Sequence, residues 1–232
     1  MLRSIKQLMG DKLAASDGEI GHVKDCYFDD RKWAIRYLVA DTGAWLPGRQ
    51  VLISPYSLGG VDPTGNVIRV NLTRKQIQKG PPIELRKPVL RQYEEAYHRY
   101  YGWPAYWLGD GLWGVTSFPI LEIPASPLAA ELAAATDPQQ EAPGAHLQST
   151  KAVDGYHIQA SDGTIGHVCD FMMDTQTWAI RQLVVKTGHR LSGNEVQIPT
   201  RSVDRISYLD SKVFVNLTKS AIEQSPAHEL AT

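Results

Sequence analysis

A mainly β chain is expected from this sequence, built as two tandem small β-barrels with short helices and an aromatic-rich connecting segment. Three observations predict it. Residues 4–85 align with 149–230 without a gap, and about 34 of the roughly 82 pairs are identical, which is an internal duplication. Each copy alternates short apolar runs with Asp-Gly and Thr-Gly turn chemistry. Helical signals inside the copies are limited to short capped segments.

Taken in order, Ser4 and Ser149 are placed to cap one turn leading to Gly10 and Gly155. Asp17-Gly18 and Asp162-Gly163 then follow the runs at 12–15 and 157–160 and precede the runs beginning at Ile20 and Ile165. An Asp-Gly pair between such runs signals a tight antiparallel hairpin. Trp33 to Val39, ending at Thr42-Gly43, is rich in aromatic and β-branched residues and reads as a third strand, matched by Trp178 to Val184. Gln50 to Ile53, Tyr56 to Val61 and Val67 to Asn71 supply three more, with counterparts at Glu195 to Ile198, Arg201 to Ile206 and Lys212 to Asn216. Six short strands suit a small closed barrel, because closure removes exposed edges. Thr73 opens a short helix with Gln76 as capping-box partner and Gly80-Pro81 as stop. Thr218 to Gln224 repeats it with Ala221 in the box position.

The spacing of D-G-x-I-G-H-V-x-D (17–25 and 162–170), W-A-I-R-x-L-V (33–39 and 178–184), V-N-L-T (70–73 and 215–218) and the short helix resembles the PRC-barrel family. That family is named after the cytoplasmic domain of the photosynthetic reaction-centre H subunit, and it includes the C-terminal domain of a ribosome maturation factor. The resemblance covers both copies and implies assembly and binding roles, with no shared catalytic residues to carry across. The membrane helix that an H subunit places before its barrel has no counterpart here, which points away from a reaction-centre role. The expected domains are a first barrel at 1–87, an aromatic insert at 88–121, an Ala/Pro-rich linker at 122–148 and a second barrel at 149–232.

The insert carries the candidate partner-binding or interdomain-packing residues Tyr97, Tyr100, Tyr101, Trp103, Tyr106, Trp107 and Trp113. From Pro88 a helix is expected, with Leu90, Tyr93, Tyr97, Tyr100 and Tyr101 at spacings of three and four. The rings either bury themselves as a portable core, between barrel and helix or between barrels, or present a patch to another protein or a second copy of the chain. Base stacking is a weaker option, since Arg99 is the only Lys or Arg from Tyr93 to Phe118. The linker has prolines at 124, 127, 138 and 143 and at most a frayed helix at Leu128 to Ala135.

A possible polar site is formed by His22 with Asp25 and by His167 with Asp170. In a strand, residues three apart point to opposite faces, so backbone-bonded strand histidines are the plainer reading. Asp25, Asp29 and Arg36, with their repeat equivalents Asp170, Asp174 and Arg181, read as internal ion pairs or turn caps. No Walker loop, nucleophile elbow, H-E-x-x-H helix or dinucleotide fingerprint occurs, so no catalytic residue, metal ligand or cofactor is expected and the chain is not expected to be an enzyme. Cys26 and Cys169 lack metal-site spacing and read as core side chains. Net charge is -1 from 24 Lys+Arg and 25 Asp+Glu, so no global field favours nucleic acid. Arg31-Lys32 and Arg74-Lys75 with Lys79 are the basic runs, and solvated turns or helix faces explain them. With no signal sequence and no membrane span, a cytoplasmic protein-binding or assembly protein, or a homodimer as a specific case, is expected, with a ribosome- or RNA-related factor, and a small-ligand binder or enzyme with a non-local site, as alternatives.

Overall fold

The computed structural model describes residues 1–61, 66–81, 91–121, 147–188 and 193–228. The expected helix start at Pro88 and Leu90, the prolines of the linker and the segment at Leu128 to Ala135 lie outside these residues. The chain is mainly β, with two seven-stranded sheets and few short helices.

The strands are β1 (Leu2–Ser4), β2 (Lys12–Ala15), β3 (Gly18–Asp29), β4 (Ala34–Asp41), β5 (Gln50–Ile53), β6 (Leu58–Val61), β7 (Val67–Val70), β8 (Leu147–Ser149), β9 (His157–Ala160), β10 (Gly163–Asp174), β11 (Ile180–Lys186), β12 (Glu195–Pro199), β13 (Val203–Ser207) and β14 (Lys212–Val215). The α-helices are α1 (Arg74–Lys79), α2 (Arg91–Tyr101), α3 (Thr150–Val153) and α4 (Lys219–Glu223).

The residues sort into two compact units. The first-copy unit takes Leu8–Gln148 with Thr175–Ala179, and its sheet runs β5-β4-β3-β2-β7-β6 with β8 added to β3. The second-copy unit takes Met1–Gln7, Ser149–Asp174 and the described part of Ile180–Thr232; its sheet runs β12-β11-β10-β9-β14-β13 with β1 added to β10. The two strand orders are the same. β1 and its repeat equivalent β8 are exchanged: each is built onto the long strand of the other copy. No run of alternating residues announces either three-residue strand, so the expectation of six strands per copy missed both.

The Asp-Gly hairpins form as expected. β2 and β3 pair antiparallel with Ala15 opposite Gly18, and β9 and β10 pair with Ala160 opposite Gly163. The aspartates do a second job. Asp17 accepts the Arg74 N–H at 2.7 Å and Asp162 the Lys219 N–H at 2.8 Å, which fastens the start of each short helix to its hairpin. Thr73 and Gln76 make the capping box; Thr218 caps α4 by accepting the N–H of Ala221.

Each long strand changes partner along its length, and a glycine makes the crossing possible. Gly21 and Gly166 have φ of +121° and +63°, and a Cβ on either would collide with the carbonyl of Asp41 or Lys186 on the neighbouring strand. Two strand boundaries differ from expectation. Trp33 and Trp178 sit at φ of 52° and 59° as turn residues, so β4 and β11 begin after them. Tyr56 and Arg201 lie in 3-10 turns, Pro55–Ser57 and Thr200–Ser202, that lead into β6 and β13. In the first, Pro55 pre-sets the entry and the Ser54 hydroxyl accepts the Tyr56 N–H. These turns connect the two ends of each sheet path, and among the described residues no ladder joins β5 to β6 or β12 to β13. Inside, each unit is packed with alternating residues such as Leu13, Ile20, Val23 and Ile68, or Ile158, Val168, Val185 and Val213. Among the described residues no helix is long and apolar enough to cross a membrane.

Candidate functional site

The densest cluster of ionisable and aromatic side chains lies in the first-copy unit, where α2 and the loop after it cover β4. Positions 94, 97, 98 and 101 share one face of α2 by helical spacing. Glu94, Tyr97 and His98 are buried there, although two of the three are polar. Tyr37 from β4 meets them. Its hydroxyl lies 3.1 Å from Glu94 Oε1 and 2.9 Å from His98 Nε2. Tyr106 donates its hydroxyl to Glu94 Oε1, and Arg91 reaches Glu94 Oε2 at 3.0 Å.

The direction of these bonds follows from one fixed point. His98 Nδ1 lies 2.8 Å from the Pro104 carbonyl, which can only accept, so Nδ1 carries hydrogen. Burial pushes the His98 pKa down to about 4, leaving the ring neutral and Nε2 an acceptor for the Tyr37 hydroxyl. Burial pushes Glu94 up to about 7, against the opposing pull of Arg91, Tyr106 and Tyr37. A protonated Glu94 can then donate to the Tyr37 oxygen, so one chain of donors runs Tyr106, Glu94, Tyr37, His98 and Pro104. Shifting two protons along it converts neutral Glu94 and His98 into carboxylate and imidazolium. The group can hold a proton, but Glu94 and His98 are each 3% exposed, and rings of Trp103, Tyr106 and Trp107 surround the imidazole at 5.6, 5.6 and 4.7 Å. No solvent-facing position for a substrate is offered by these contacts.

Beside this chain, Arg36 is 1% exposed, and its two terminal nitrogens Nη1 and Nη2 are both bonded. It donates to Asp29 at 2.9 Å and to the Leu112 carbonyl at 2.6 Å, and its guanidinium stacks 3.9 Å over Tyr106 and 4.9 Å from the Trp113 centroid. Burial opposes the charge on Asp29, but Arg36 and the N–H groups of Lys32 and Arg31 outweigh it and hold the carboxyl below its usual value. The Trp113 indole donates to the Thr177 carbonyl at 2.7 Å, and Tyr97 donates to the Leu52 carbonyl of β5 at 2.6 Å.

The insert residues therefore divide. Tyr97, Trp103, Tyr106 and Trp113 are buried in the first-copy unit; Tyr101 and Trp107 are half-buried; Tyr100 is exposed. The second copy differs at the positions that meet the insert in the first. Where β4 has Tyr37 and the 3-10 turn has Tyr56, the aligned positions are Gln182 and Arg201, and Arg181, aligned with buried Arg36, is exposed. Sequence reading singled out the rings but missed Glu94, His98 and Tyr37. Their helical spacing from Tyr97 and place in the strand after Arg36 were visible, but neither marks a residue as enclosed.

The histidine and aspartate pairs go elsewhere. His22 is exposed 4.0 Å from Glu19, and Asp25 accepts the Cys26 N–H. Asp170 is buried, where it accepts the Ser4 hydroxyl and the Lys6 N–H, binding β1 to its sheet. His167 instead lines a polar cavity with Asp154, Gly155 and His157. Asp174 meets the N-terminal ammonium at 3.4 Å. Both cysteines are buried, and burial pushes the Cys169 thiol up to about 12. Among the described residues no group of three His, Cys, Asp or Glu is placed to hold a metal ion.

No curated protein matches the chain. Residues 155–222, which run from Gly155 after α3 into α4, match the family model of the PRC-barrel domain, so the second copy carries a PRC-barrel domain.

Proposed function

We propose that the chain is a tandem PRC-barrel protein of the cytoplasm that works by binding and assembly rather than by catalysis, with both copies serving as barrels and the insert as its contact element. The supporting observation is how the insert divides its apolar side chains. Glu94, His98 and the hydroxyls of Tyr97 and Tyr106 are bonded inside the first-copy unit, while Glu95 and Arg99 face solvent. Tyr93 and Tyr100, two helical turns apart on α2, stay 41% and 42% exposed, and Phe118, Ile120 and Leu121 are exposed at the insert's end. Tyrosine and phenylalanine held on a rigid base are favoured at protein interfaces because little side-chain entropy remains to be lost. The partner class is therefore a protein, with a second copy of this chain as the specific case.

Photo-crosslinking residues placed at positions 93, 100 and 118 in the native cell, with 22 and 209 as controls, test the reading. Discrete protein adducts at the three insert positions are expected. Adducts spread equally over the controls, or absent from the insert, reject it. Sedimentation of the purified chain separates self-association from a foreign partner.

A further inference from the structure

In the second-copy unit β12 has a neighbour besides β11. The segment after α4 folds back along it. Val196 and Ala227 form an antiparallel bridge, the Gln197 N–H donates to the Pro226 carbonyl at 2.9 Å, and the His228 N–H donates to the Glu195 carbonyl at 2.8 Å. Gln197 Nε2 also lies 2.9 Å from His228 Nδ1. Residues 226–228 are thus a strap of a single rung, and a shallow one: Pro226 and Ala227 are exposed and His228 is half-buried.

The chemistry of the strap leaves its pairing incomplete. In an antiparallel ladder the N–H and C=O of one residue point to the same side, and the two residues of a bonded pair exchange both bonds. Gln197 and Pro226 are such a pair. Gln197 donates, but the return bond to its carbonyl would come from the N–H of residue 226, and proline has none. The first copy shows what the equivalent carbonyl accepts when it is covered. Leu52 of β5 aligns with Gln197, and its carbonyl takes the Tyr97 hydroxyl of the insert at 2.6 Å. The strap offers the Gln197 carbonyl no such donor.

Two backbone bonds at an exposed edge hold the strap weakly, because water competes for both partners of each. Shortness and a proline are also the means by which sheet edges are guarded against indiscriminate pairing. A strand from another molecule would supply the N–H that Pro226 lacks, and an apolar residue at the place of Ala227 would lie directly opposite Val196 on the same face. We infer that β12 is a docking edge for an extended segment of a partner protein, covered by residues 226–228 until a segment displaces them that is non-proline where Pro226 stands and apolar where Ala227 stands. The incoming strand competes with a tethered one, so its contacts must exceed those of the strap by the advantage that tethering confers. No residue of the insert is needed.

The test is titration of the full chain with the acetylated, amidated peptide Ser-Thr-Val-His-Ser and with its twin carrying proline for threonine, followed by the ¹⁵N amide shifts of β12. Shifts at Glu195 and Gln197 are expected, with the threonine peptide bound at least about threefold tighter, the worth of one regained hydrogen bond. His228→Pro removes the N–H that Glu195 accepts, so it should release the strap and tighten the threonine peptide at least about tenfold. Pro226→Ala supplies the missing donor, so it should weaken that peptide at least about threefold and slow exchange of the Gln197 amide. Both substitutions lie on the surface segment and should leave thermal unfolding as in the parent. Equal affinity for the two peptides, affinities indifferent to both substitutions, or shifts centred away from β12 overturn the assignment. So does the absence of saturation up to about 20 mM in the His228→Pro chain, where the strap no longer competes; the strap is then fixed edge protection and nothing more.

Discussion

Replacing one member of the Glu94 and His98 pair should expose a pH dependence that the pair conceals. Burial lifts the Glu94 carboxyl from 4.5 to about 7, a difference worth about 3 kcal/mol. An acid whose folded pKa is raised favours the native state at low pH. The unfolded chain releases its proton above 4.5 while the folded one keeps it, so stability is lost as pH climbs from 4.5 to about 7. His98 runs the other way. Its folded pKa falls from 6.5 to about 4, so its contribution is complete above 6.5 and about 3 kcal/mol is lost as pH drops to about 4. The two losses mirror each other, and their sum changes by less than about 1 kcal/mol between pH 4 and 7. Asp29, held low, loses its contribution only below its ordinary 3.8, outside this window. Glu94→Gln should therefore leave a protein that loses about 3 kcal/mol between pH 7 and 4, and His98→Gln one that loses about 3 kcal/mol between pH 4 and 7.5. Urea denaturation followed by tryptophan fluorescence suits the question, since all six tryptophans belong to the first-copy unit. Mutant profiles that stay parallel to the parent's across this range would refute the proton chain.

Three further outcomes follow from the same structure. Arg36→Met strands Asp29 in the interior and should cost about 3–5 kcal/mol by tryptophan-monitored urea unfolding, with Arg36→Lys failing to restore the two-pronged contact to Asp29 and Leu112. Gly166→Ala drives a methyl into the Lys186 carbonyl and should abolish folding of the second-copy unit, read as loss of protected amides in β10 and β11 by hydrogen exchange. Removal of residues 1–7 takes β1 and its Ser4 bond to Asp170 from the second-copy sheet. It should speed labelling of Cys169 by a thiol reagent at least tenfold, on the order of 1.4 kcal/mol of easier opening, while the tryptophan transition stays in place.

The repeat, its hairpins and its helix caps were legible because each rests on local chemistry: Asp17-Gly18, Thr73 with Gln76, the aromatic and β-branched run at Trp33 to Val39. The exchanged strands were not. Leu2, Arg3 and Ser4 gain their conformation from Met173 and its neighbours on β10, distant in the chain. Trp33 looked like a strand residue by type, but the position needs a left-handed backbone at the end of a turn. Glu94 and His98 read as ordinary polar residues of a helix. Their burial depends on Tyr37 from β4 and Tyr106 from the loop after α2, with Arg91 one turn earlier on the same helix, and nothing in the period of α2 distinguishes a solvated carboxylate from an enclosed one. The rows flanking the His167 cavity could be compared across copies only after the register was known.

The exchange of β1 and β8 sets an order of events during synthesis. Residues 1–7 leave the ribosome before the strand they complete has been made. At about 5–20 residues per second, the wait until β10 emerges is on the order of ten seconds or more. For that interval an extended, hydrogen-bond-hungry leader must avoid pairing with nascent neighbours, and a polysome carrying many such leaders is where mispairing between chains would first arise.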